Sequence, residues 1–340
     1  MNFRVRPARN EDFEAIYEMA KLTGGGFTNL PPDRGALVDK LVRSEQAFGA
    51  EAQAPSDELF VMVLENVDTG QIRGTCQIFG MVGVNAPFYS YRISTLTQTS
   101  KALGKTFRNE MLTLTTDLEG SSEVGGLFLH PGERAGGLGL LLARSRYLFI
   151  KQHRERFGRR VLAELRGVID ESGGSPFWDA IAGRFFGMNF QAADEFNAMH
   201  GTQFIADLMP KTPIYTAMLP ESARHVMGCP HPSGRAAMKM LEREGFQFDC
   251  YVDIFDGGPT MIAPTDQIRT IRDARDYVLA EVADDTDSAQ HTMLAAGRLK
   301  TFAATYGYLQ VDPDGTATLD SQSAATLALN PGDRFLAMGR

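Results

Sequence analysis

With 340 residues, 43% of them apolar and 22% charged, the chain has the composition of an ordinary soluble globular protein with room for one large core or two smaller ones. A formal net charge of −8 and no dense basic stripe argue against a nucleic-acid binder, whose phosphate contacts need a basic face. Cys76, Cys229 and Cys250 have no paired spacing for a metal site or a disulfide framework, and no run approaches the roughly 18 apolar residues of a membrane span; a reducing cytoplasm is the expected compartment.

Phe3 to Pro7 reads as a strand, and Asn10, followed by acidic Glu11 and Asp12, marks a helix start. Phe13, Ile16, Tyr17 and Ala20 fall on one face of that helix, which Gly24-Gly25-Gly26 would end. Pro31-Pro32 opens a second helix over about Asp33 to Phe48, with Leu37, Val38, Leu41 and Val42 as its apolar stripe. Leu59 to Glu65 and Ile72 to Val84 form a hairpin about the turn Asp68-Thr69-Gly70. Gly126 to His130 is a short apolar strand, and an apolar helix begins at Leu140.

Between that strand and helix lies Arg134-Ala135-Gly136-Gly137-Leu138-Gly139. Glycines admit the backbone close to a pyrophosphate, and a helix starting just behind them aims free amides and its positive dipole end at the anion. A nucleoside-triphosphate loop would need Gly-Lys-Ser/Thr, and a dinucleotide fingerprint would need glycine at its first, third and sixth positions; neither is present. The bland alternative is a tight turn that uses glycine only for its left-handed backbone. The pattern Arg-x-x-Gly-x-Gly resembles the acyl-CoA signature of the GNAT superfamily of N-acyltransferases. That resemblance implies an acyl-CoA ligand held by Arg134, Gly137 and Gly139.

Arg160 to Leu165 is a further strand, and Pro176 to Phe186 is a helix behind Ser172-Gly173-Gly174-Ser175. Gly187-Met188-Asn189-Phe190 would then open the last strand of the sheet. Ser233 to Glu244 is a helix that leads through Gly245-Phe246 to a strand over Asp249 to Phe255, a candidate repeat of the helix-turn-strand unit before it. Glu281 to Ser288 reads as a linker, and the tail from about 291 as short strands between turn residues. The expected fold is α/β (α+β): an acyl-CoA N-acyltransferase-like mixed sheet flanked by helices, with a C-terminal extension and a small β tail. Its expected divisions are a core over 1–205, an extension over 206–280 and the tail over 289–340.

More specific segments are Leu22 to Pro31, Gly120-Ser121-Ser122-Glu123, Arg166 to Glu171, Ser175-Pro176-Phe177-Trp178 and Asp253 to Thr260. Together, over about residues 3 to 275, they resemble the arginine N-succinyltransferase family. The resemblance implies succinyl transfer from succinyl-CoA to the α-amino group of L-arginine, opening a route that degrades arginine to glutamate. It places Leu127 against succinyl-CoA and makes His231, in Cys229-Pro230-His231-Pro232, the proton donor. The residues alone leave His231 open: imidazole has a pKa of roughly 6.5 and suits proton transfer, yet exposed loop histidines are common. A covalent acyl-Cys229 is disfavoured, because residues two apart in a proline-rich loop need not face each other.

A guanidinium calls for a planar carboxylate, and Asp170, Glu171, Asp253 and Asp256 are the candidates, with Glu123 a further one. Turn stabilisation is the alternative for each. Arg166 and Arg92 are candidates for the free carboxylate of succinyl-CoA. Arg144, Arg146, Lys151 and Arg154 could meet CoA phosphates or form a solvated helix face. No metal is expected, and the partners are the two small substrates, with neither nucleic acid nor membrane. A homo-oligomer is compatible with the sequence. An ornithine acceptor, an acetyl donor and a non-catalytic acyl-CoA sensor remain as rival readings.

Overall fold

Fifteen strands among the described residues join one hydrogen-bonded sheet in the computed structural model, which describes residues 2–23, 29–134, 136–193, 196, 203–284, 289–313 and 315–339. In chain order they are β1 (Phe3–Pro7), β2 (Leu59–Asn66), β3 (Ile72–Phe79), β4 (Ser90–Ser100), β5 (Lys105–Thr115), β6 (Ser122–Leu129), β7 (Arg160–Glu164), β8 (Ile214–Tyr215), β9 (Gln247–Asp253), β10 (Pro259–Pro264), β11 (Arg275–Val282), β12 (Gln290–Ala296), β13 (Ala303–Val311), β14 (Ala317–Leu319) and β15 (Arg334–Gly339). Across the sheet the order is β12-β15-β11-β14-β13-β1-β2-β3-β6-β7-β10-β9-β4-β5-β8. Neighbours run antiparallel except β6 with β7 and β11 with β14.

The unbroken apolar run of β2 follows from cover on both faces. Phe60, Met62 and Leu64 face a core shared with α3 (Leu138–Gln152), whereas Leu59, Val61 and Val63 face α1 (Phe13–Lys21) and α2 (Arg34–Gly49). Asp33 caps α2 by accepting from the Ala36 amide at 2.7 Å. Its buried stripe is Leu37, Leu41, Ser44, Ala47 and Phe48; Val38 and Val42, expected in that stripe, are exposed. Buried Ser44 belongs there because its Oγ accepts from the Val61 amide at 2.9 Å, tying helix to strand. Asn10 does not cap α1: the chain enters through a short 3-10 turn, and Asp12 accepts from the Arg9 amide and pairs with buried Arg6. The glycines expected to end α1, Gly24 to Gly26, lie outside the described residues, as do residues 285–288 of the expected linker.

The helix expected over Pro176 to Phe186 is two short ones, α4 (Pro176–Ala180) and α5 (Gly183–Phe186), with a break at Ile181. No strand follows. Residues 190–193 are helical, and Phe190 and Ala193 join Trp178, Phe177 and Phe255 in a second core. Trp178 Nε1 donates to the Met188 carbonyl at 2.9 Å and fixes that turn. The neighbour of β7 is instead β10, returned from residues 259–264. The sequence reading assigns no element between Val84 and Gly120, where β4 and β5 pair over their whole length as a largely exposed hairpin. Its threonine-rich strands lack the apolar alternation that marks a buried face.

β12 also pairs with β13, which closes β11 to β15 into a five-stranded barrel around Leu279, Leu294, Leu319 and Phe335. The barrel extends the main sheet through β13 and β1, and Met293, Phe302 and Met338 enter the α3 core. No described helix is long and apolar enough to cross a membrane.

Candidate active site

Parallel strands β6 and β7 pair only at Ser122 with Val161 and Glu123 with Leu162. Beyond that they diverge, and a cavity of about 400 Å³ opens between them, walled by Val124–Phe128 on one side and Ala163–Arg166 on the other. Opposite Cys76, β6 carries two residues, Gly126 and Leu127, where the register against β3 shifts. Such a bulge leaves a backbone amide outside the ladder. Glycine is required there: Gly126 has φ of +56°, and a Cβ would stand 2.7 Å from the Gln77 side chain. Gln77 in turn donates to the Asn29 carbonyl at 2.7 Å, linking the bulge to the segment before α2.

One end of the cavity meets the glycine turn. Arg134 and Leu140 line it, and Gly137, at φ of +85°, begins α3 with no side chain capping the helix. Uncapped first-turn amides are an anion site. From the barrel, Tyr306 Oη donates to the Gly137 carbonyl at 3.2 Å, so the tail steadies this turn.

The other end is acidic. Glu164, Asp253 and Asp256 line the cavity, and Glu123 stands beside them. Burial, then the charges of Asp253, Glu123 and Asp256, push Glu164 well above the ordinary carboxylate range. Burial pushes Glu123 up to about 7 against the Asn29 amide, which donates to it at 3.3 Å, and the charge of Lys40. Asp256 is pushed up to about 8 by burial and Asp253, although Gly167 and Gly258 amides donate to its two oxygens at 2.7 and 2.8 Å. Asp253 Oδ1 accepts from the Phe255 and Asp256 amides, while Glu164 Oε1 is buried with no partner. Among the described residues, no three His, Cys, Asp or Glu side chains are arranged to hold a metal ion.

A family model described as "Arginine N-succinyltransferase beta subunit" matches residues 3–270, and one for the C-terminal domain of that subunit matches residues 275–338. Arginine N-succinyltransferase from Citrobacter koseri is 44% identical over 271 residues, 80% of this chain and 78% of that protein. The Enterobacter sp. (strain 638) protein of the same name is 44% identical over 277 residues, 82% and 80% of the two chains. The solved arginine/ornithine succinyltransferase subunit AI from Pseudomonas aeruginosa matches with TM-score 0.90 at 31% identity, covering 99% of this chain and 98% of that one. The chain belongs to the arginine N-succinyltransferase family.

In this family member the cavity brings together Leu127, Arg134, Arg166, Asp253 and Asp256 from the residues singled out in the sequence. Gly137 and Gly139 lie at the start of α3; a Cβ at Gly139 would make only an ordinary contact with Leu129, 3.7 Å away. Asp170 and Glu171 are exposed and do not line the cavity. Asp170 holds its own turn, accepting from the Ser172 hydroxyl at 2.7 Å and from the Gly174 and Ser172 amides at 2.8 and 2.9 Å, and those bonds lower its pKa. Arg92 is exposed beside Asp117.

His231 stands beside the cavity, not in its wall; its neighbours Ser233 and Gly234 line it, and its amide donates to the Arg166 carbonyl at 2.7 Å. The Ser233 amide donates to Nδ1 at 3.3 Å and the Ser233 hydroxyl lies 2.7 Å from it; with Nδ1 accepting from both, Nε2 carries the proton of the neutral ring. Burial, then the charge of Arg166, lowers the imidazole pKa. Cys229 Sγ is directed at the His225 carbonyl, 3.4 Å away, not at His231.

The four basic residues of the α3 region do not form a solvated face. Arg144 and Arg146 are buried and line the cavity, Lys151 donates to the Ile271 carbonyl, and Arg154 pairs with Asp266. The sequence reading missed Glu164 and Asn29. The signal for Glu164 was a carboxylate ending the apolar run Val161-Leu162-Ala163; nothing in the sequence placed Asn29 beside Glu123.

Proposed function

We propose that this chain transfers the succinyl group of succinyl-CoA to the α-amino group of L-arginine, releasing N2-succinylarginine and CoA. The observation that carries the reading is the divergence of β6 and β7 around a cavity with an uncapped helix start at one end and buried carboxylates at the other. The CoA pyrophosphate takes the amides at the start of α3, with Arg134 beside it. Pantetheine then replaces the missing partner along the edge of β6, and the amide freed by the Gly126-Leu127 bulge polarises the thioester carbonyl.

L-arginine is a cation, and the acidic end suits it. With both oxygens of Asp256 engaged by backbone amides, that residue shapes the loop, and Glu164, Glu123 and the remaining oxygen of Asp253 face the guanidinium and the α-ammonium. The α-ammonium must lose a proton before it attacks, and a carboxylate raised to about 7 is matched to take it near neutral pH. The neutral amine adds to the thioester carbon, the oxyanion collapses and the C–S bond breaks. The departing thiolate meets the Nε2–H of His231. The neutral ring predominates at pH 7, so His231 acts first as a hydrogen-bond donor to sulfur, and the proton shed by the amine completes the free thiol.

The P. aeruginosa relative is an arginine/ornithine succinyltransferase subunit, and a buried acidic end would accept the shorter ornithine cation as well. The test is free-thiol release by purified protein with succinyl-CoA or acetyl-CoA against arginine, ornithine and lysine. Turnover with succinyl-CoA and arginine is the expected result. CoA binding without release for any pair would sink the enzyme reading in favour of a sensor.

A further inference from the structure

Buried arginines elsewhere in the molecule have carboxylate partners: Arg6 has Asp12, Arg144 has Glu244 and Arg156 has Glu58. Arg146 differs. It is 3% exposed and lines the cavity, yet no carboxylate pairs with it among the described residues. Its Nε donates to the Ala143 carbonyl at 3.0 Å, one Nη reaches the Gly125 carbonyl at 3.5 Å, and its guanidinium lies 5.7 Å from the Tyr147 ring centre. Gly125 is where β6 has parted from β7, so the guanidinium sits inside the wedge. A buried charge is costly unless an anion or a full set of hydrogen bonds compensates it. Among the described residues, three of its five N–H groups have no such compensation.

The position indicates which anion would complete it. Arg146 is eight residues into α3, about 12 Å from the helix start where a pyrophosphate would sit. Gly125 lies two residues, about 7 Å of strand, before Leu127 on the side away from the glycine turn. A donor threaded from the glycine turn presents its thioester at the bulge and its acyl chain beyond, toward Arg146. Arg166 also lines the cavity, with its Nε buried and unpartnered, but it stands on the β7 wall near Asp256, whose ionised form its charge favours.

We propose that Arg146 binds the free carboxylate of the donor's acyl group and thereby makes the site selective for a dicarboxylic acyl-CoA. The inference deepens the acyl-CoA reading above and rests on it. It also accounts for an anionic acyl group entering a cavity whose far end is acidic: Arg146 holds that carboxylate on the α3 side, away from Glu123 and Glu164.

Calorimetric titration of the full chain with succinyl-CoA and with butyryl-CoA, which has the same four-carbon chain and no carboxylate, tests it. The wild type should bind succinyl-CoA at least about tenfold more tightly, the scale of a charge-assisted bidentate contact. Arg146→Met should abolish that preference by weakening succinyl-CoA alone. Replacing a buried charge by an apolar chain of similar length need not harm folding, and Arg146→Gln serves if the methionine variant does not fold. Equal binding of the two thioesters by the wild type, or a folded variant that keeps the preference, overturns the proposal while leaving the acyl-CoA reading intact. Failure of both thioesters to bind the wild type overturns that reading as well.

Discussion

At His231 the Ser233 amide and hydroxyl both meet Nδ1, which places the neutral ring's proton on Nε2, and burial lowers the pKa, which favours that neutral ring. Replacing it by alanine should cut kcat about a hundredfold or more, the usual scale for losing one donor to a developing negative charge, with succinyl-CoA affinity little changed. Stopped-flow thiol release alongside calorimetry would show both. Glu123 gives a second expectation. Its folded pKa, about 7, lies above the ordinary 4.5, so its stabilising contribution is complete below about pH 4.5 and is lost as pH rises through about 7. The melting temperature of the ligand-free protein should therefore fall across that interval, and Glu123→Gln should flatten the fall. A cation held by these carboxylates favours their ionised forms, so L-arginine binding near pH 7 should release protons. Titrations in buffers of different ionisation enthalpy would detect the release, and no dependence on buffer would count against Glu123 and Glu164 as the arginine contacts.

The proposed donor site depends on the β6 bulge, which rests on a left-handed Gly126 packed against Gln77. Gly126→Val forces a branched side chain into that conformation and into that contact. It should cost about 1–3 kcal/mol in urea unfolding and abolish thiol release at saturating succinyl-CoA. A stable, active valine variant would show that the bulge is dispensable. The pattern Gly125-Gly126 was visible in the sequence, yet only the pairing of Thr75 with Phe128 and of Gln77 with Gly125 identifies the extra residue. Similarly, Pro176 to Phe186 carries a good cap at Ser175 and reads as one helix, whereas the buried indole of Trp178 and its bond to Met188 fold it into two.

Across the whole molecule, the tail is part of the main core. Phe302 packs edge-on against Phe149 of α3 with ring centres 5.2 Å apart, and β13 covers the edge of β1. Phe302→Ala should cost about 3–5 kcal/mol, read by chemical denaturation, in the barrel and the acyltransferase core together as one transition. A chain ending at Ala274 would expose β1 as an open edge and should aggregate; a soluble, monodisperse truncated protein in size-exclusion chromatography would contradict this coupling.

The strands and helices up to the glycine turn, except β4 and β5, and the glycine turn itself were legible in the sequence, because they depend on local backbone preference and spacing. Tertiary structure alone gathered Glu123, Glu164, Asp253 and Asp256 from β6, β7, the end of β9 and the loop after it, left Asp170 in its own turn, and turned Arg146 inward with no carboxylate partner among the described residues. Carboxylates far apart in sequence share a cavity only through strand register, and no local pattern encodes which buried charge the fold leaves uncompensated for a ligand to complete.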